Sequence, residues 1–477
     1  MKFSHGFFIT LVTCASLTLH FVGLWHPQEA VFDEVHFGKF VSGYLKGEYF
    51  FDIHPPLGKL MIAGMAAVTD VEPHNGFVTI GEQYADYQYI WLRFLPAFFG
   101  SLLAPLVYLL VWRLSASRWA AILAALFVVC ENALLVQSKF ILIDSFLLFF
   151  GFAALYLFFQ SRAFFSQGRW GLWAAMAAAI GGGFAVSVKW TAGSFMGLML
   201  AFGLAELIRR LISRKKKEFF HALIGYSFLI VIPPLIYIAF FAVHFTLLPE
   251  KGPGNAYMTA RFQQSQESGF LISDFGANFY ELNQEMFRAN QRITATHAYS
   301  SKWYTWPFML RGVYYWNKDI VGDSQTLYEK IYLLGNPFVW WVSTIVVIYF
   351  FISRLFTGIG FVFSRFMKRQ MQKKSADEDQ SISGVNQMFL GAGYIINLLP
   401  FIFIGRVMFL YHYLTAMVFA IIITAVIITA RPKPRPMVFA FLIMGAVAGF
   451  FVIFPVTYGT ITHSAWPASI FWLKSWI

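Results

Sequence analysis

The sequence predicts an all-α polytopic membrane protein with about eleven transmembrane helices, its polar chemistry gathered in extracytoplasmic loops. Three observations predict this. Hydrophobic residues make up 58% of the 477, aromatic residues 19% and charged residues only 13%, a balance that a soluble globular chain does not show. Apolar runs long enough to cross a hydrocarbon core of roughly 30 Å recur along the whole length. The cations sit in short loops between those runs, so the net charge of +12 reads as a topology signal and not as a nucleic-acid patch.

In chain order, the spacing predicts spans near residues 6–25, 88–112, 119–136, 141–160, 170–187, 192–212, 222–245, 331–354, 386–404, 407–430 and 437–456. The N-terminal run follows a lysine, as in a secretory signal, but it continues to about Trp25 with no small-residue cleavage site after it, so it reads as a first span. An inside N-terminus puts Arg113 and Arg118, Arg162 and Arg169, Arg209 to Lys217, Arg354 to Lys374 and Arg431 to Arg435 on the cytoplasmic side. The C-terminus then lies outside, with two long loops, residues 26–87 and 246–330. Segment 365–384 is polar, mixed in charge and without aromatic anchors, which predicts a mobile cytoplasmic linker. The whole chain, 1–477, reads as a single membrane domain. Cys14 and Cys130 both fall in apolar segments, so neither a disulfide framework nor a zinc site is indicated, and no cofactor or metal ligand set is read from the sequence.

The first outer loop opens with FDEVHFGKF, Phe32 to Phe40, which places Asp33 and Glu34 together at the membrane surface. A carboxylate there suits a general base, because a Ser or Thr hydroxyl is a poor nucleophile until its proton is taken. A solvated loop acid with a capping role is the bland alternative. His36 of the same motif is a possible substrate contact. FDIHPPLGKL, Phe51 to Leu60, then breaks the backbone at Pro55 and Pro56 before an amphipathic segment to about Val68, resembling a helix in the interface plane. His54 and Lys59 are placed to receive a phosphate at that helix start, although Pro-Pro is also ordinary helix punctuation.

Further cations recur at outer span ends: Arg93, Lys139 in QSKFILID, Lys189 in SVKW and Arg406 in GRVMFLYHYL. Ionisable groups at membrane depth are costly and mark polar cavities, and a leaving lipid phosphate requires such cations. Snorkelling to headgroups explains any one of them more simply than all four. Tyr411 and His412 in the last motif are possible substrate contacts. Asp144 reads as a helix cap or a partner for a cation, with capping the simpler choice. The second outer loop carries HAYSSKWYTWP, whose His297, Trp303 and Trp306, with Arg311 beyond, suggest a sugar or peptide platform or interfacial anchors.

Taken together, FDEVHFGKF, FDIHPPLGKL, QSKFILID, SVKW, HAYSSKWYTWP, LLGNP (Leu333 to Pro337), GRVMFLYHYL and FPVTYG (Phe454 to Gly459) resemble, in order and across nearly the whole chain, the protein O-mannosyltransferases, glycosyltransferase family 39 of the GT-C class, and more closely their bacterial members. The resemblance implies a GT-C fold, a polyprenyl-phosphate mannose donor, an extended Ser/Thr-containing acceptor protein, inverting transfer and an active site on the outer face. It gives Asp33 the role of catalytic acid or base and Glu34 that of its neighbour in the site. Lys139 stands where the family has arginine, replacing a bidentate fork by a point charge. The 246–330 loop is too short for the soluble MIR domain of eukaryotic members.

Two rivals follow from the same residues. A related GT-C transferase would move another sugar to a lipid or glycan. A lipid-sugar flippase would bury polar residues mid-span and show repeated halves, whereas here the polar groups gather at outer span ends and no repeat stands out.

Overall fold

A computed structural model of the chain describes residues 4–73, 77–293, 296–321, 326–367, 384–430, 436–463 and 470–476. Of the expected linker 365–384, residues 368–383 lie outside the described residues, as do Arg431 to Arg435.

Among the described residues, 9 helices are long and apolar enough to cross a membrane: Tyr89–Ser115, Asp144–Gln167, Arg169–Val188, Trp190–Ile212, Lys216–Leu247, Pro337–Phe356, Gly384–Phe403, Leu410–Ile428 and Pro436–Tyr458. A tenth is formed if Arg118–Val129 and Asn132–Lys139, bent by 54° at their junction, count as one span. The window expected at 6–25 holds a helix of 17 residues, His5–Phe21, which at 1.5 Å per residue reaches only about 25 Å. The bend after Val129 has a local cause. Glu131 leaves helical geometry and its side chain accepts the Ala133 amide at 3.2 Å, capping a new helix in a new direction. Leu410–Ile428 forms the centre of the bundle, 72% buried along its span, whereas Pro436–Tyr458 is 28% buried and turns its apolar side chains outward to lipid.

The all-α expectation needs one correction. Beyond the Lys216–Leu247 span β1 (Val313–Val321) and β2 (Thr326–Leu333) pair antiparallel, and β3 (Thr462–His463), which follows Pro436–Tyr458, adds to β2 in the order β1-β2-β3. The alternation in TLYEKIYL and the aromatics of VYYWNKDIV favour a pleated, half-buried surface. The register slips between Tyr314 and Trp316, a bulge that gives Tyr315 to the molecule's interior. The span expected from 331 therefore begins at Pro337, after Asn336 Oδ1 has accepted the Phe338 and Val339 amides at 3.1 and 3.3 Å. Segment 26–87 holds helices Glu34–Lys46 and Leu57–Val68, the latter starting right after Pro56 as its sequence implies. Segment 246–330 adds Ala260–Glu267 and Phe275–Arg292.

Candidate active site

A cavity of about 650 Å³ opens between these outer elements and the ends of the spans, within the usual range for a small-molecule site. Asp33, His36, Asp52, His54, Asp144, Lys189, Trp190, Asn290, Gln291, Arg406, Tyr411 and His412 contribute to its wall.

Asp33 reaches the cavity because of the residue before it. Phe32 is held at φ 47°, a conformation that an aromatic residue adopts only when its surroundings impose it. Its amide donates to the Tyr315 carbonyl at 3.1 Å and its ring stacks on that of Tyr315 at 4.2 Å. Asp33 begins the helix Glu34–Lys46 without capping it, and among the described residues its carboxyl takes part in no hydrogen bond. Burial pushes this carboxyl up to about 7; Lys189 opposes the shift, while Asp144 and Asp52 add to it.

Glu34 is in the opposite situation. Arg93 Nε and Nη2 hold its two oxygens at 2.7 and 2.8 Å, and the Val31 and Ile141 amides and the Tyr84 hydroxyl donate to them at 2.9, 2.9 and 3.0 Å. Both members of the pair are 0% exposed. The remaining Arg93 donors go to the carbonyls of Leu24, Pro27 and Glu29. Hence Glu34 and Arg93, expected in the chemistry and at the donor phosphate, form a saturated bracket behind the cavity wall. Lys139 is likewise elsewhere. Its ammonium donates to the Val22 carbonyl at 2.6 Å and lies 3.8 Å over the Tyr458 ring. The four cations therefore do not converge, because two of them are occupied inside the protein.

Lys189 and Arg406 do face the cavity. Lys189 Nζ donates to Asp144 Oδ1 at 2.7 Å, while Asp144 Oδ2 accepts from Gln137 Nε2 at 2.8 Å, so Asp144 is a cation's partner and not the helix cap that its position suggests. Arg406 lies in the irregular segment between the spans ending at Phe403 and beginning at Leu410. No ion pair or hydrogen bond holds its guanidinium among the described residues, and burial lowers its pKa. An unpaired, largely desolvated guanidinium is set to take an anion.

His54 and His36 line the cavity, His54 held well below its usual range by burial and then Lys189, and His36 lowered by partial burial and then Lys39. Lys59 sits beneath them, 1% exposed on its side chain, bonded to Asp52 and to the carbonyls of His54 and Pro55. It clamps the loop and is not a phosphate ligand in this arrangement. His412 is fixed through Nδ1 to Phe409 and stacks on Tyr411 and Trp306 at 4.5 and 5.9 Å. Trp306 itself is 0% exposed, with Nε1 bonded to Ser301 Oγ, so it supports His412 from behind. His297, Trp303 and Arg311 do not line the cavity: His297 packs edge-on to Phe409, and Trp303 edge-on to Tyr304. The expected aromatic platform is packing.

Sequence reasoning missed Asp52, Asn290, Gln291 and Asn397. Asp52 was within reach, since it stands in FDIHPPLGKL beside His54; the others carry no local signal. Among the described residues no group of three or more His, Cys, Asp or Glu is arranged to hold a metal ion.

Comparison with known proteins identifies the family and the fold. Residues 10–249 match the family model for dolichyl-phosphate-mannose-protein mannosyltransferase, and residues 275–476 match the C-terminal four TMM region of protein-O-mannosyltransferase. Protein O-mannosyltransferase 1 of Drosophila melanogaster is 38% identical over 258 residues, covering 52% of this chain and 29% of its own length. Dolichyl-phosphate-mannose–protein mannosyltransferase 4 of Saccharomyces cerevisiae is 31% identical over 290 residues, covering 58% and 38%. The chain thus spans about a third of the length of the curated relatives it matches. Among solved structures, the S. cerevisiae Pmt1-Pmt2 complex bound to the sugar donor superposes with a TM-score of 0.87 at 20% identity, covering 100% of this chain and 93% of that one. ArnT from Cupriavidus metallidurans bound to undecaprenyl phosphate gives a TM-score of 0.50 at 14% identity, covering 93% and 64%. The fold is accordingly that of the GT-C transferases, and, with the first model alone reaching across half of the sequence, the chain belongs to the dolichyl-phosphate-mannose-protein mannosyltransferase family.

Proposed function

We propose that this membrane protein transfers mannose from a polyprenyl phosphate to Ser or Thr hydroxyls of exported proteins, with inversion at the anomeric carbon. The observation that carries this reading is the pairing, across one cavity, of a carboxyl without hydrogen bonds, Asp33, with the cations Lys189 and Arg406. A base that titrates near neutrality and a receptor for a leaving anion are the two groups that such a transfer requires.

In the step itself, the acceptor hydroxyl gives its proton to Asp33 as its oxygen forms a bond to C1 of the sugar. The bond from C1 to the phosphate oxygen breaks from the opposite side, and the lipid phosphate leaves with its negative charge met by Lys189 and Arg406. A β-linked donor thus yields an α-mannosyl product. A Ser or Thr side chain is short, so the acceptor backbone must approach Asp33 closely, which favours an extended, flexible segment. The site lies on the outer face, with the N-terminus inside and the C-terminus outside, in accord with the basic inner loops.

The test is transfer of label from radiolabelled polyprenyl phosphate mannose to a Ser/Thr-rich peptide by membranes containing the protein, with the linkage read by NMR. Label on the peptide in α linkage supports the reading. Label only on lipid or free glycan assigns the chain to a GT-C transferase of another acceptor, and a retained β linkage removes the inverting step.

A further inference from the structure

The outer-loop hairpin reaches the cavity's cation through one buried relay. Tyr315, the bulged residue of β1, is 0% exposed, and its hydroxyl donates to Gln137 Oε1. Gln137, 3% exposed, passes its amide hydrogens to Asp144 Oδ2 at 2.8 Å, and Asp144 Oδ1 accepts from Lys189 at 2.7 Å. The chemistry leaves a single orientation for each member. An ionised carboxylate only accepts, so Gln137 must turn its NH₂ toward Asp144 and its oxygen toward Tyr315, which must then donate. Burial keeps the Tyr315 phenol well above its usual pKa, so the donor is retained.

We propose that Tyr315 and Gln137 are positioning residues that direct the Lys189 ammonium through Asp144, making the hairpin part of the donor-phosphate site; this rests on the transferase reading above. Without the tyrosine hydroxyl, Gln137 Oε1 is buried and unpaired, and the amide is no longer anchored on the side away from Asp144. Asp144 is then held less firmly by one of its two donors, and Lys189 is aimed less sharply. The same residue also holds Phe32, through its backbone carbonyl and its ring, so one residue sets both the base and the cation. The two roles are separable, since Tyr315→Phe keeps the ring and removes only the hydroxyl.

The experiment uses the full-length protein in nanodiscs, with farnesyl phosphate as a sugar-free probe of anion binding by calorimetry, alongside transfer kinetics. For Tyr315→Phe we expect farnesyl phosphate binding weakened about tenfold, a donor KM raised to match, and a peptide KM within about twofold of the unsubstituted protein. Gln137→Leu should do the same, and neither should add more than about twofold to Lys189→Met. Effects that multiply with Lys189→Met, farnesyl phosphate binding that Tyr315→Phe or Lys189→Met leaves unchanged, or equal rises in both KM values would overturn the proposal. Because the binding measurement needs no sugar transfer, intact phosphate coupling in a protein that fails to mannosylate the peptide would strike the transferase reading and leave the relay standing.

Discussion

Arg93 grips both carboxylate oxygens of Glu34, at 2.7 and 2.8 Å, with neither residue exposed. The acid beside it in sequence, Asp33, lines the cavity and, among the described residues, its carboxyl takes part in no hydrogen bond. Adjacent acids thus sit differently: Glu34 ties segment 26–87 to the Tyr89–Ser115 span, while Asp33 faces the cavity.

Removing one partner of this pair strands a buried charge. We expect Glu34→Ala to cost about 3–5 kcal/mol of stability, seen as reduced yield of folded protein and a lower melting temperature in detergent. Asp33→Asn should melt no lower than the unsubstituted chain. Equal destabilisation by both would contradict the division of roles.

The Asp33 carboxyl, raised to about 7 from 3.8, fixes a pH dependence. The reactive form is the carboxylate, so kcat/KM should rise with unit slope up to about pH 7 and be roughly a tenth of its plateau at pH 6. Stability runs the other way. The folded-state pKa lies above the unfolded one, so the contribution from neutral Asp33 is whole below about pH 4 and is lost as pH rises through about 7. A flat profile from pH 5.5 to 8 would show that Asp33 is not the base.

The cations divide in the same way. Arg406→Ala should raise the donor KM by about ten- to a hundredfold, since a charged hydrogen-bond partner of the phosphate is lost. Lys139→Ala should leave the donor KM within about twofold while lowering thermal stability, because its ammonium is committed to Val22 and the Tyr458 ring. Steady-state kinetics with varied donor decides between these outcomes.

Topology offers an independent check. With the basic loops inside, a C-terminal alkaline phosphatase fusion should be active and a C-terminal cytoplasmic reporter silent. The reverse pattern would put the cavity on the wrong face for exported acceptors.

Much of this was legible in the sequence, and what was not has a physical reason. Span positions follow from apolar length alone, and the ordered motifs locate Asp33, Lys189 and Arg406. Sequence does not reveal which cation is already paired: Arg93 and Arg406 look alike until Arg93 is seen bonded to Glu34. Asp144 read as a cap because capping is local, whereas its true partner, Lys189, lies 45 positions away. The sheet was hidden by the apolar run that follows it, since Ile331 to Leu333 fit either a strand end or a span start.

The most direct test of the account is Asp33→Asn in membranes supplied with polyprenyl phosphate mannose and a Ser/Thr-rich peptide. The amide keeps the shape of the side chain but cannot accept the hydroxyl proton. The account predicts a loss of turnover on the order of a hundredfold or more, with lipid-phosphate binding nearly unchanged. Near-normal turnover in this variant would contradict it.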